Sequence, residues 1–255
     1  MDFRLKHLSF LILLIVLGAS SAAGQQCCAT QSAIDACNNN TGGRCSWNST
    51  TCSCNCTPSP IIIDVGGNGF QLTSAEDGVV FDIFGDGRSI QISWTAAGSG
   101  NAFLALDRDG NGSIDSGKEL FGNVTQQTPS ADPNGFLALA EFDKPANGGN
   151  GDGIIDKRDA VFSKLLLWID ENHDGISQPS ELHSLPELGV FSLSLRYRDS
   201  RQTDEFGNEF KYKAAVNPDP QDGESKDGRW AYDVFLETNR RLNTTGDFLD
   251  GSPFY

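Results

Sequence analysis

Residues 170–181 read Asp-Glu-Asn-His-Asp-Gly-Ile-Ser-Gln-Pro-Ser-Glu, and no other stretch constrains the chain so tightly. Oxygen-bearing side chains at the first, third and fifth places, with glycine at the sixth, make a sharp loop that aims those oxygens at its own centre. Every constrained position of the EF-hand loop pattern is met. Asp170, Asn172 and Asp174 supply side-chain oxygens and the Ile176 carbonyl a fourth; Gln178 stands where a water commonly intervenes, and Glu181 closes the shell bidentately. The expected ligand is Ca2+, which takes about six to eight oxygens. The plainer alternative is a solvated acidic turn.

Two further segments repeat the pattern. In chain order the first begins at Asp107, with Asp109, Asn111 and Asp115 at positions three, five and nine and the Ser113 carbonyl at seven. Its closing acid is displaced, because Lys118 takes the twelfth place and Glu119 the thirteenth. The second offers Asn150, Asp152, the Ile154 carbonyl, Asp156 and Asp159 at positions three, five, seven, nine and twelve. Its first place is Gly148, so its first ligand is either Asp143, reached across an inserted Lys-Pro-Ala-Asn-Gly, or missing. Two degenerate copies, at Asp64 and Asp82, have Gly66 and Phe84 where the third oxygen belongs, and read as strand-connecting turns.

Residues 1–24 read as a signal peptide: Arg4, Lys6 and His7 precede a short apolar run and a small-residue stretch. Export to a secreted, extracellular location follows, with no membrane insertion after cleavage. All seven cysteines fall within residues 25–57, which predicts a small disulfide-rich segment with one thiol left over; zinc is the competing reading. A formal charge of -15 argues against nucleic acid as a partner and fits carboxylates neutralised by bound cations. An extracellular protein or cell-surface partner is compatible with it.

Residues 61–64, 79–83 and 89–94 read as short strands, 135–142 and 159–169 as helices, and 180–185 as a turn stopped by Pro186. Residues 190–196 and 209–216 alternate with period two and predict a hairpin; 230–236 reads as a last strand and 239–255 as a tail. The expected fold is α+β: short strands and a C-terminal hairpin packed with EF-hand-like calcium loops and short helices over residues 58–238, preceded by the disulfide-rich segment.

Ile61-Ile-Ile-Asp-Val-Gly-Gly-Asn-Gly, Val80-Phe-Asp-Ile-Phe-Gly-Asp-Gly, the run from Phe103 through Glu119-Leu-Phe-Gly-Asn, and Leu167-Trp-Ile-Asp through Leu188-Gly-Val resemble, in the same order, a known module. It is the EF-hand-like calcium-binding domain of RTX-type secreted bacterial proteins, including their calcium-dependent self-processing module. The resemblance implies that a closing acid at Glu119 is normal for loop one and that calcium folds the domain. Processing members cleave an Asp-Pro bond at the module's first residue, where the aspartate side chain attacks its own peptide carbonyl. Here the junction is Ser59-Pro60, so calcium-dependent folding is expected to carry over and cleavage is not.

A non-enzymatic, secreted calcium-binding module is therefore the expectation, with autoprocessing or a dockerin-like docking role as alternatives. Beyond the leader the histidines are His173 and His183, both in or beside loop three, and no nucleophile-elbow, zinc-protease or phosphate-loop motif occurs.

Overall fold

The computed structural model describes residues 45–48, 53–130 and 132–238. The expected signal peptide and tail lie outside them. Within the expected cysteine-rich segment the described part is a two-stranded hairpin, β1 (Cys45–Asn48) against β2 (Ser53–Cys56). The cysteine side chains lie outside the described residues, so a disulfide-rich segment is not a feature of the described fold.

Ile61, Ile62 and Ile63 are all fully buried, which an isolated sheet face does not produce. They form β3 (Ile61–Asp64), near the middle of a seven-stranded antiparallel sheet covered on both sides. Its other strands are β6 (Asn101–Ala105), β8 (Leu166–Trp168), β9 (Leu182–Ser184), β11 (Arg198–Thr203), β12 (Glu209–Ala215) and β13 (Trp230–Phe235). The spatial order is β11-β12-β13-β3-β6-β8-β9. Since successive side chains in a strand point to opposite faces, Ile61, Ile63, Ala102, Leu104 and Leu167 enter one core, and Ile62, Phe103, Ala105 and Trp168 enter the other. Each such large side chain, fully buried, contributes about 1.5–3 kcal/mol.

The first core is closed by the one α-helix among the described residues, α1 (Gly135–Ala140), whose Phe136 and Leu139 are buried and whose N-cap Asn134 accepts from the Leu137 N–H. It is also closed by the two-stranded pair β7 (Ile154–Asp156) and β10 (Ser192–Ser194). The second core is covered by the hairpin β4 (Val79–Phe81) and β5 (Ile90–Ile92), and its centre is aromatic: the Trp94 ring lies 4.3 Å from Phe103 and 5.5 Å from Trp168.

The fold is thus mainly β, which corrects the α+β expectation. The helix expected over 159–169 is a short 3-10 turn, Phe162–Lys164, followed by strand β8. Leu-Leu-Leu-Trp-Ile is apolar on every residue; such a run suits a strand buried on both faces as well as a buried helix, and periodicity does not separate the two. The expected exit turn over 180–185 is strand β9, and Pro186 lies inside a 3-10 turn, Leu185–Leu188. The expected hairpin also changes partners. β12 pairs with the polar strand β11, while Ser192–Ser194 pairs with β7, leaving Phe191 61% exposed. β11 reads Arg-Asp-Ser-Arg-Gln-Thr, an edge strand with no apolar alternation to announce it.

Candidate metal centre

Loops one and three are entered and left by extended chain rather than by the helices that flank an EF-hand, whereas loop two is entered from α1 and left through the 3-10 turn Phe162–Lys164. Loop three joins β8 to β9, whose last pair is Trp168 with Leu182, and the Ile169 N–H donates to Glu181 O at 3.0 Å below it. Loop one leaves β6 and returns at Leu120, which bridges Ala105.

One carboxylate arrangement recurs. In loop one, Asp107 Oδ1 accepts from the Gly110 N–H at 2.7 Å and Oδ2 from Gly112 at 2.9 Å. In loop three, Asp170 Oδ1 accepts from Asp174 at 3.1 Å and Oδ2 from Gly175 at 2.8 Å. The glycines at position six have φ of 84° (Gly112) and 71° (Gly175), a region that penalises any Cβ. The closing acid matches as well. Glu119 accepts from the N–H of Arg108 and of Asp115, both at 3.0 Å, and Glu181 from Glu171 at 3.0 Å and Gln178 at 3.2 Å. Glu119, one residue late in sequence, therefore grips the ninth position as Glu181 does.

Loop two follows the same plan once its insertion is removed. Asp143 Oδ1 accepts from Gly151 and Oδ2 from Gly153, both at 2.9 Å, and Asp159 accepts from Asn150 at 3.2 Å and Asp156 at 2.8 Å. Subtracting the five inserted residues places Gly151 and Gly153 at the offsets that Gly110 and Gly112 have from Asp107. Asp143 thus holds the first place, and a 3-10 turn, Pro145–Asn147, takes up the inserted chain. Loop two also holds its own cation: the Arg158 guanidinium reaches Asp152 at 2.7 Å and Asp156 at 2.6 Å. The hydrogen bonds that the guanidinium donates to Asp156 raise the Arg158 pKa. Asp64 and Asp82 make the same Asx cage, to Gly67 and Gly69 and to Asp86 and Gly87, and among the described residues no set of three acids converges on either; the Asp82 turn joins β4 to β5.

Among the described residues, the acids that converge are Asp107, Asp109 and Glu119, with one oxygen of each within 4.8 Å of the others. Asn111 lies beside them, its Nδ2 3.1 Å from both Asp109 and Asp115. Backbone donors led by Gly112 lower the Asp107 pKa. Burial raises that of Glu119, and the Asp115 and Asp109 charges add to the rise. A carboxylate offers about four lone-pair sites, of which Glu119's two N–H bonds use half. The set fits a hard cation: oxygen donors only, one acid buried, and repulsion that a positive charge relieves.

Loop three has the complete motif but not that convergence. Asp174 Oδ2 is taken by Asn172 Nδ2 and Gln178 Nε2, each at 2.9 Å, and Ile176 is 64% exposed. Two indoles hold its outer acids: Trp94 Nε1 donates to Asp170 at 2.8 Å and Trp168 Nε1 to Glu181 at 3.3 Å. His173 (φ 61°) lies between them, its ring nitrogens 2.7 Å from Thr95 O and 2.8 Å from Asp77 O, so it docks the loop onto the chain around the β4–β5 hairpin.

These indoles were not singled out in the sequence; the one signal was Trp168 two residues before the loop. Also unsignalled was Asp233, on β13 and fully buried, whose carboxyl burial pushes up to about 7. Its Oδ2 accepts from the Gly135 N–H at 3.2 Å, the Ser59 hydroxyl bonds to it, and Oδ1 has no partner among the described residues.

A family model described as the SPM domain matches residues 61–236, which takes in all three loops and the whole seven-stranded sheet. The chain belongs to the SPM domain family. Over 143 residues, 55% of the chain, it is 42% identical to the iron-regulated protein FrpA of Neisseria meningitidis serogroup C, and the match spans 12% of that protein. No helix of this SPM domain protein, among the described residues, is long and apolar enough to cross a membrane.

Proposed function

We propose that the SPM domain of this chain is a secreted, non-enzymatic calcium-binding module that calcium folds or stabilises, akin to the calcium modules of RTX-type proteins. The observation that carries the reading is the convergence of Asp107, Asp109 and Glu119 within 4.8 Å in a loop whose backbone donors hold the carboxylates in place. In loop one Asp107, Asp109, Asn111, Asp115, Glu119 and the Ser113 carbonyl would hold the ion. In loop three Asp170, Asn172, Asp174, Glu181, the Ile176 carbonyl and Gln178 would do so, and in loop two Asp143, Asn150, Asp152, Asp156, Asp159 and the Ile154 carbonyl. The bound ion would supply the positive charge that keeps these acids together. Ser59 stands at the junction that processing relatives cleave, so self-cleavage is not part of the proposal.

With sites of about 0.1 mM affinity and about 1 mM calcium outside a cell, each site adds roughly 1.4 kcal/mol to stability. Calorimetric titration of the chelator-stripped protein tests the reading, with melting temperature followed in parallel. Binding of two or three ions with a raised melting temperature is expected; no uptake at millimolar calcium would refute it.

A further inference from the structure

We infer that loops one and three form one cooperative cation-binding unit, joined through Ile114 and Ser177, and that loop two binds independently of them. The inference rests on the calcium reading above and concerns how its sites communicate.

Ile114 and Ser177 are both eighth in their loops, counting from Asp107 and Asp170. The Ile114 N–H donates to Ser177 Oγ at 2.6 Å, with both residues buried and 63 positions apart. Each lies between ligands of its own loop: Ile114 between the Ser113 carbonyl and Asp115, Ser177 between the Ile176 carbonyl and Gln178. The bond therefore ties together the two stretches that an ion must order. A buried N–H left without an acceptor is costly, so neither stretch shifts alone without penalty. The ion that orders one loop sets the position of the other's eighth residue and removes part of the ordering cost there, which appears as positive coupling.

The shared packing points the same way. Ile114 belongs to the second core with Trp94 and Trp168, the indoles that hold Asp170 and Glu181. The eighth residue of loop two, Ile155, instead pairs with Leu193 of β10 and packs into the first core, across the sheet. Loop two thus has a strand where the others have each other.

Calcium titration of the full chain tests this, read on the indole 1H–15N resonances of Trp94 and Trp168, which report loop three directly. The expected result for Glu119→Gln is loss of the loop-one site together with an about fivefold or larger weakening at the two indoles. Ser177→Ala is expected to keep the stoichiometry while bringing the Hill coefficient of the indole transition to about one. Asp152→Asn is expected to disable loop two without moving the indole midpoint. An unchanged indole midpoint in E119Q overturns the coupling even if S177A does not fold. An equal shift in D152N also overturns it, since the linkage would then be general folding rather than a pair. Absence of calcium uptake by the wild-type chain overturns this inference and the calcium reading together; the first two outcomes leave the calcium reading standing.

Discussion

The indole nitrogen of Trp94 donates to Asp170 Oδ2 at 2.8 Å, joining the middle of the aromatic core to the first acid of loop three across 76 residues of sequence. Trp94 is fully buried and Asp170 is 1% exposed, so the core positions the loop and the loop satisfies the core's polar hydrogen. Trp94→Phe keeps most of the ring and removes the donor. We expect loss of about 1–3 kcal/mol of stability by thermal melting. Calcium affinity at loop three should fall about 10–100-fold, as when other supports behind metal ligands are removed, while loop-two affinity stays near its wild-type value.

Arg158 spans Asp152 and Asp156 at 2.7 and 2.6 Å, occupying carboxylates that loop two would offer to an ion. Arg158→Ala should tighten calcium binding at that loop by roughly threefold at low salt, consistent with the modest strength of an exposed ion pair, and the gain should shrink as salt screens it. Titrations at two ionic strengths check both points.

A Cβ on Gly149 would lie 2.2 Å from the Asp143 carbonyl carbon and oxygen, so the backbone there must move to accept one. Gly149→Ala is expected to cost about 1–3 kcal/mol and to abolish the loop-two site while loops one and three still fill. Retention of full stoichiometry in this variant would remove Asp143 from the first position.

Asp233 supplies the pH signature. Its folded value of about 7 lies above the ordinary 3.8 of an aspartate. The folded state therefore binds the extra proton between those limits. Stability from this group is full below about pH 4 and is lost as pH rises toward 7. Asp233→Asn should remove that loss, so the mutant gains on wild type by on the order of 4 kcal/mol between pH 4 and 8. Melts in saturating calcium across that range measure the difference. A constant gap between the two proteins would show that Asp233 ionises alike in both states.

Loop chemistry was legible because it is local: a carboxylate caged by N–H groups a few residues on needs only glycine and Asx residues at set spacing, and Asp107, Asp170 and the Asp82 turn all behave as that spacing requires. β3, β13 and α1 were legible for the same reason, through a short apolar run or an N-cap. β8 was not, since an all-apolar run says only that it is buried, and β11 was not, since an edge strand needs no apolar face.

The sequence alone determined where the oxygen donors stand and that they recur in three loops, because these depend on neighbours along the chain; it left open whether Asp143 or no residue takes the first place in loop two. The tertiary structure alone decided which loops meet and that Trp94, Ser177 and Asp233 matter. Those facts depend on how β3, β6 and β8 stack two cores on opposite faces of one sheet, and pairings between residues 60 or more positions apart leave no periodic trace in the chain that makes them.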